Sequence, residues 1–199
     1  MASGPICGLL LAGGEGRRFG GDKLMAALAD GTPVAVATAR ALAAGCDRVV
    51  AVTRPDRDPL VKALRGAGCE VVVTAACRRG MGASLAAAVA ASGAAAGWLV
   101  LPADMPAVAG TTVAAVAAAL RRGSLIARPE LDGRPGHPVG FSAELREALA
   151  ALDGDTGARG VVARHRDAVA CLAVDDPGIL ADIDTPADLV RLAGGGNGT

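Results

Sequence analysis

The 199-residue chain has no tyrosine, two phenylalanines and one tryptophan, so it lacks the aromatic platform on which single-stranded nucleic acid stacks. It has no excess of either charge: twenty basic residues balance twenty acidic ones. That removes the overall electrostatic case for DNA, RNA or an anionic membrane as partner. Long apolar runs are missing too. Once alanine-rich amphipathic helices are set aside, no stretch approaches the roughly 20 apolar residues of a membrane span. Met-Ala-Ser-Gly-Pro precedes a short apolar run without a basic n-region, and the expected location is cytoplasmic. None of the five cysteines, Cys7, Cys46, Cys69, Cys77 and Cys171, forms a C-x-x-C pair. Zinc-ligand spacing is therefore absent. Buried thiols in a reducing compartment are expected, with Cys7, Cys69 and Cys171 in strand-like apolar runs.

What is present is 52% hydrophobic and 20% charged residues, a composition that folds. Apolar runs alternate with helical stretches. Strands are expected at 6–12, 48–53, 69–74, 98–101, 124–128 and 169–174. Helices are expected at 33–44, 59–67, 81–95, 109–121, 143–151, 156–165 and from 185 onward. Pro129, Gly133, Pro135, Gly136 and Pro138 mark a turn-rich segment between them. This alternation implies right-handed crossovers and an α/β fold, Rossmann-like and doubly wound, with a mostly parallel sheet. One domain is expected over 1–193, followed by a frayed tail at 194–199. In such sheets ligands bind beyond the carboxyl ends of the strands, which points to 13–23, 53–57, 74–84, 103–106 and 133–138.

The first of these segments places five glycines in nine residues, Gly13, Gly14, Gly16, Gly20 and Gly21. Such a loop can turn successive N–H groups inward as an anion nest. Arg17, Arg18 and Lys23 add positive charge, so phosphate is the expected guest. The loop is not a P-loop, because no Gly-Lys pair occurs. It is not a dinucleotide fingerprint either: Phe19 stands where the third glycine is needed, and the second strand ends in Thr53-Arg54 without an acid for a ribose. After the third strand, Gly80-Met81-Gly82-Ala83-Ser84 opens a helix, which suits anionic or polar ligand atoms, although Ser84 could equally be a helix cap. Asp104 ends a buried strand facing the glycine loop, where magnesium would need a carboxylate; a turn cap is the alternative.

Leu11-Ala12-Gly13-Gly14-Glu15-Gly16-Arg17-Arg18-Phe19-Gly20-Gly21-Asp22-Lys23 resembles the L-A-G-G-x-G-x-R-x-G-x-x-K signature of the nucleotidyltransferases with a glycosyltransferase-A-like fold. The match is best with the branch that attaches a nucleotide to molybdopterin. Resemblance continues through G-M-x-x-S-L (Gly80 to Leu85), L-x-x-D-x-P (Leu101 to Pro106), G-H-P-V (Gly136 to Val139), G-D-x-G-A-R (Gly154 to Arg159) and D-I-D-T-P-x-D-L (Asp182 to Leu189). It implies catalytic Arg18, Lys23 and Asp104. The nucleotide would sit on Leu11, Ala12, Gly13, Gly14, Glu15, Gly16, Arg17, Thr53, Thr74, Gly80, Met81, Gly82 and Ser84. Thr74 departs from the family's usual asparagine. His137 would hold the acceptor's phosphate or position its pterin. Arg159 would grip acceptor phosphate or Asp155 would cap a helix; both are placed in the acceptor site. Magnesium would be held by Asp104 and by Asp184 in preference to Asp182. The implied reaction moves CMP from CTP to the terminal phosphate of molybdopterin and releases pyrophosphate. The alternatives are a GTP-dependent relative, favoured by Leu11-Ala12-Gly13-Gly14, and a non-catalytic carrier that delivers the finished cofactor to a molybdenum hydroxylase.

Overall fold

The computed structural model describes residues 4–14, 16 and 19–194. Glu15, Arg17, Arg18 and, apart from Gly194, the expected tail lie outside the described residues.

Strand β1 (Ile6–Leu11) runs parallel to β2 (Arg48–Thr53), which runs parallel to β3 (Glu70–Val73). Helix α1 (Val34–Ala43) and helix α2 (Asp58–Gly66) make the two crossovers. After a 3₁₀ turn at Ala75–Arg79, α3 (Met81–Ala91) returns the chain to β4 (Gly97–Pro102), which pairs with the other edge of β1. The order β3-β2-β1-β4 thus reverses direction at β1. A topological switch point opens at the carboxyl ends of β1 and β4, where an α/β sheet forms its ligand crevice.

The remainder is less regular. Helix α4 (Gly110–Arg121) leads to β5 (Ile126–Leu131); two short strands, β6 (Arg134–Pro135) and β7 (Val139–Ser142), then follow. β7 lies between β4 and β5, antiparallel to both. The sequence predicts turns here. Gly140, inside β7, serves packing through its missing side chain: a Cβ there would stand 2.9 Å from a methyl of Val116 on α4. Short helices α5 (Arg146–Ala150) and α6 (Arg159–Arg164) lead to β8 (Val169–Ala173), parallel to β5, and α7 (Pro186–Gly194) ends the described chain. Among the described residues the sheet has eight strands, and the fold is α/β, mostly parallel and Rossmann-like as expected.

Alternation along β1 sends Ile6 and Leu10 to one face, under α1, α2 and α4, and Cys7 and Leu9 to the other, under α3 and α5. Both faces are therefore covered, as a central parallel strand requires. The lone tryptophan, Trp98 on β4, is fully buried. Its indole N–H donates to Ser92 Oγ at 2.7 Å, and that hydroxyl donates to the Val89 carbonyl at 2.7 Å, so no polar atom of the pair is stranded. The cysteine expectation needs one correction. Cys7, Cys69 and Cys77 are buried and Cys46 is half-buried, but Cys171 is exposed. It lies on β8, which pairs with β5, and its side chain stands beside Glu130. Among the described residues no helix is long and apolar enough to cross a membrane.

Asp176, which no motif singles out, ties the carboxyl-terminal segment to α4. Its carboxylate accepts from the Ala109 amide at 3.0 Å, the Thr112 hydroxyl at 2.6 Å and the Gly178 amide at 3.0 Å. The residue is buried, so Asp176→Ala would strand three donors at once. A loss of about 2–4 kcal/mol in urea unfolding is expected; a loss under about 0.5 kcal/mol would show that the three bonds do not hold these elements together.

Candidate functional site

At the switch point three charged side chains meet among the described residues. Lys23 is carried by the turn after the glycine loop, Asp104 follows β4, and Asp184 precedes α7. The Lys23 ammonium donates to Asp104 Oδ2 at 2.6 Å and to Asp184 Oδ1 at 3.2 Å. The Lys23 side chain is 11% exposed and those of the two acids 18% and 27%. Burial acts to lower the Lys23 pKa, but the hydrogen bond and charge of Asp104, then those of Asp184, outweigh it and hold the ammonium above its ordinary value. The other Asp104 oxygen, Oδ1, is buried and has no hydrogen-bond partner among the described residues.

Backbone contacts set this geometry. The Ala103 amide continues the ladder onto the Leu11 carbonyl at 3.1 Å, and the Thr38 hydroxyl on α1 donates to the Ala103 carbonyl at 3.0 Å. The Ile183 amide donates to the Asp104 carbonyl at 2.9 Å, which brings the 182–184 segment to the end of β4. Asp188 then accepts from the Asp184 amide at 3.0 Å and from the Thr185 amide and hydroxyl. These bonds, the Thr185 hydroxyl's first, keep the Asp188 carboxyl far below the usual carboxylate range. Asp182 is exposed, whereas Asp184 reaches the lysine.

The charged cluster forms one wall of a cleft of about 560 Å³. Of the expected nucleotide and catalytic residues, Leu11, Gly13, Gly14, Gly16, Lys23, Gly80, Met81, Ser84 and Asp104 line it, together with Asp184. Ala12, Thr53, Thr74 and Gly82 do not. Ala12 packs in the core beneath the loop. The Thr53 hydroxyl donates to the Ala12 carbonyl at 3.3 Å. That of Thr74 accepts from the Ala76 amide at 3.2 Å, capping the 3₁₀ turn. The Gly82 amide donates to the Gly154 carbonyl at 2.7 Å. Arg54, Cys77 and Arg78 line the cleft without having been singled out. Arg54 directly follows β2, in a segment flagged by its position alone.

A second cavity of about 640 Å³ adjoins the first, and Leu11, Met81 and Asp155 line both. It brings together His137, Asp155 and Arg159, the three expected acceptor residues, and adds Arg128, Arg166 and Phe141. Arg128 pairs with Glu130 at 3.0 Å. His137 is anchored through its backbone amide to the Ile179 carbonyl at 3.0 Å, while its buried Nδ1 has no partner among the described residues.

Burial lowers the His137 pKa below 6.5, against the raising effect of a hydrogen bond to the Val100 carbonyl and of the Asp104 charge. The folded protein therefore holds fewer protons here than the unfolded chain just below pH 6.5, and acidification favours unfolding. Stability contributed by the neutral imidazole is present above pH 6.5 and declines as pH falls through the folded value. Comparing urea midpoints of wild type and His137→Gln from pH 7.5 downward, the wild type should lose ground to the variant below 6.5; parallel curves would contradict the burial.

Solved structures resemble this chain over nearly its whole length. Rv0371c from Mycobacterium tuberculosis H37Rv is 29% identical, with a TM-score of 0.82, and the match covers 95% of this chain and 98% of that one. A structure of Rv0371c in complex with manganese, also from Mycobacterium tuberculosis H37Rv, aligns at 28% identity and a TM-score of 0.74, covering 96% and 98%. A nucleotidyl transferase from Methanothermobacter thermautotroptrophicus, Mth528, shares the fold at 24% identity and a TM-score of 0.81, covering 96% and 97%. No curated protein matches the chain significantly. The family model of the MobA-like NTP transferase domain matches residues 8–179, which take in the glycine loop, Asp104 and both cavities' walls as far as β8, and the chain belongs to that family of nucleotidyltransferases.

Proposed function

We propose that this protein transfers CMP from CTP to the terminal phosphate of a molybdopterin-type acceptor and releases pyrophosphate. One observation carries the reading: Lys23, Asp104 and Asp184 converge beneath the glycine loop in one cleft. The triphosphate would lie along Gly13, Gly14 and Gly16, with Lys23 and Arg18 balancing the charge of the leaving pyrophosphate. Arg18, with Glu15 and Arg17, stays in the proposal from its motif. The acceptor would occupy the adjoining cavity. Arg159 suits a bidentate grip on its phosphate, and the unpartnered His137 Nδ1 offers a hydrogen bond. Both substrates would then meet at the boundary formed by Leu11, Met81 and Asp155. The acceptor phosphate, with a second pKa of about 6, is already largely ionised at pH 7. It can attack the α-phosphorus in line without a strong general base, and catalysis rests on position and charge.

Asp104 and Asp184 would hold magnesium. Two converging carboxylates, one with a buried free oxygen, are the hard donors this ion takes, and among the described residues no larger cluster of acids, histidines or cysteines competes. Magnesium completes its shell with phosphate oxygens and water, and manganese in the Rv0371c complex is consistent with a divalent ion. When bound, the ion would supply charge neutralisation to the phosphate oxygens.

For the base, G-M-x-x-S-L, G-H-P-V and G-D-x-G-A-R favour CTP. Gly13, the residue that favours GTP, has a packing reason of its own: a Cβ there would stand 2.8 Å from Cys77 Cβ. Pyrophosphate release with molybdopterin, magnesium and each of CTP, GTP, ATP and UTP tests the reading. CTP alone should give sustained release. Release with GTP alone would reassign the base, and cofactor binding without any release would make the chain a carrier for a molybdenum hydroxylase.

A further inference from the structure

Lys23 is required in two places. The proposed transfer reaction needs its ammonium on the phosphates, whereas in the structure it sits between Asp104 and Asp184 at 2.6 and 3.2 Å. A divalent ion needs that same position, and two cations so close repel one another where the dielectric is low. The ammonium has somewhere to go. The lysine stem runs alongside Gly16, its Cγ 3.3 Å and its Cδ 3.6 Å from where a Cβ on that glycine would stand. The backbone of Lys23 is held in its turn, its amide donating to the Gly21 carbonyl at 3.1 Å and its carbonyl accepting from Ala26 at 3.3 Å. Rotation about the last side-chain bonds, with the backbone still, would carry the charge toward the glycine loop.

We propose that Lys23 is a built-in stand-in for the metal: it occupies the cation position between Asp104 and Asp184 until nucleotide draws it onto the phosphates, so that metal entry and lysine departure are one exchange. The proposal rests on the reading of Asp104 and Asp184 as metal ligands. It has two consequences. Metal alone binds the free protein weakly, because it must expel an ion pair. Nucleotide strengthens metal binding beyond the contacts its own phosphates make, because it holds the ammonium elsewhere, and by linkage metal strengthens nucleotide binding equally.

Manganese titration followed by electron paramagnetic resonance, with and without the non-transferable α,β-methylene analogue of CTP, reads this directly. Wild type, Lys23→Met, Lys23→Gln and Asp104→Asn are compared after circular dichroism has confirmed that each is folded. Without nucleotide, both lysine variants should bind manganese about tenfold more tightly than wild type, equivalent to about 1.4 kcal/mol. The gain in manganese affinity on adding the analogue should shrink about tenfold in both. Equal or weaker manganese binding by both lysine variants, with Asp104→Asn abolishing it, would overturn the exchange and leave the metal site standing. Manganese binding that does not depend on Asp104 in any of the proteins would remove the metal site and the exchange together.

Discussion

Asp104→Asn should lower nucleotidyl transfer by about a thousandfold at saturating CTP and acceptor while leaving the protein folded. The substitution preserves size and one carbonyl oxygen but removes the charge. In the proposed mechanism that charge is half of the anionic pair facing the divalent ion, and interactions of this kind at developing phosphate charge are worth several kcal/mol of barrier. The effect on folding should be smaller. The Asp104 and Lys23 side chains are 18% and 11% exposed, and Lys23 keeps Asp184 at 3.2 Å. Only one partner of a bridging ammonium is lost, so a stability change of about 1–2 kcal/mol is expected, between the values for exposed and fully buried pairs. Backbone contacts of the site stay in place, because Ile183 and Thr38 bond to the carbonyls of Asp104 and Ala103, not to the carboxylate. Single-turnover rates alongside urea unfolding separate the two effects. A variant within about tenfold of wild type would remove Asp104 from the chemistry.

The residues that carry this site differ in how readable they are from sequence. The glycine loop and Asp104 announce themselves, because each directly follows a buried strand whose apolar run marks its own end. β2 is legible residue for residue for the same reason. What fails is anything decided by a partner in space. β7 is four residues with a proline before it and a glycine inside it, and it becomes a strand because β4 and β5 flank it. Thr53 is the last residue of β2 and Arg54 directly follows it. The backbone directs Thr53 inward onto the Ala12 carbonyl and Arg54 into the cleft, a difference between neighbours that the position of the 53–57 segment alone does not reveal. Asp182 and Asp184 share one parity in an extended segment, so pattern alone cannot choose between them. The hydrogen bond from Ile183 to the Asp104 carbonyl brings the segment in, Asp184 meets Lys23, and the charge of Asp182 is felt by His137 instead. Of the second cavity's arginines, Arg159 is marked by its motif, whereas Arg128 and Arg166 are invisible for a related reason. Arg128 enters it by the register of β5 against β8, where it stands opposite Cys171.

Gly80→Ala should damage both the fold and the transfer reaction, through one crowded seam. Gly80 precedes α3 with φ 121° and ψ −173°, a region that costs an L-residue about 1–3 kcal/mol before any contact is counted. Contacts make it worse. A Cβ there would stand 2.2 Å from Asp155 Oδ1, 2.5 Å from the Gly154 carbonyl oxygen and 2.6 Å from the Gly154 carbonyl carbon. The Asp155 carboxylate can rotate aside, but the Gly154 peptide is backbone and must move bodily. Moving it stretches the 2.7 Å bond from the Gly82 amide to that same carbonyl, which fastens the 153–155 loop to the start of α3. The seam is also where the two cavities meet, since Met81 and Asp155 line both. Displacing one wall separates the place proposed for the α-phosphorus from that proposed for the attacking phosphate, and a misplacement of about 1 Å costs on the order of a hundredfold in rate. The expected result is a loss of about 2–4 kcal/mol in urea unfolding with transfer reduced about a hundredfold. Gly14→Ala is the internal comparison for the stability half. A Cβ at Gly14 meets nothing within 4 Å, and its φ is not among the positive ones. Its unfolding free energy should stay within about 0.5 kcal/mol of wild type. Should Gly80→Ala match Gly14→Ala in stability, the close approach of residues 153–155 to α3 would not exist in solution, and the shared wall on which the two-cavity geometry depends would go with it.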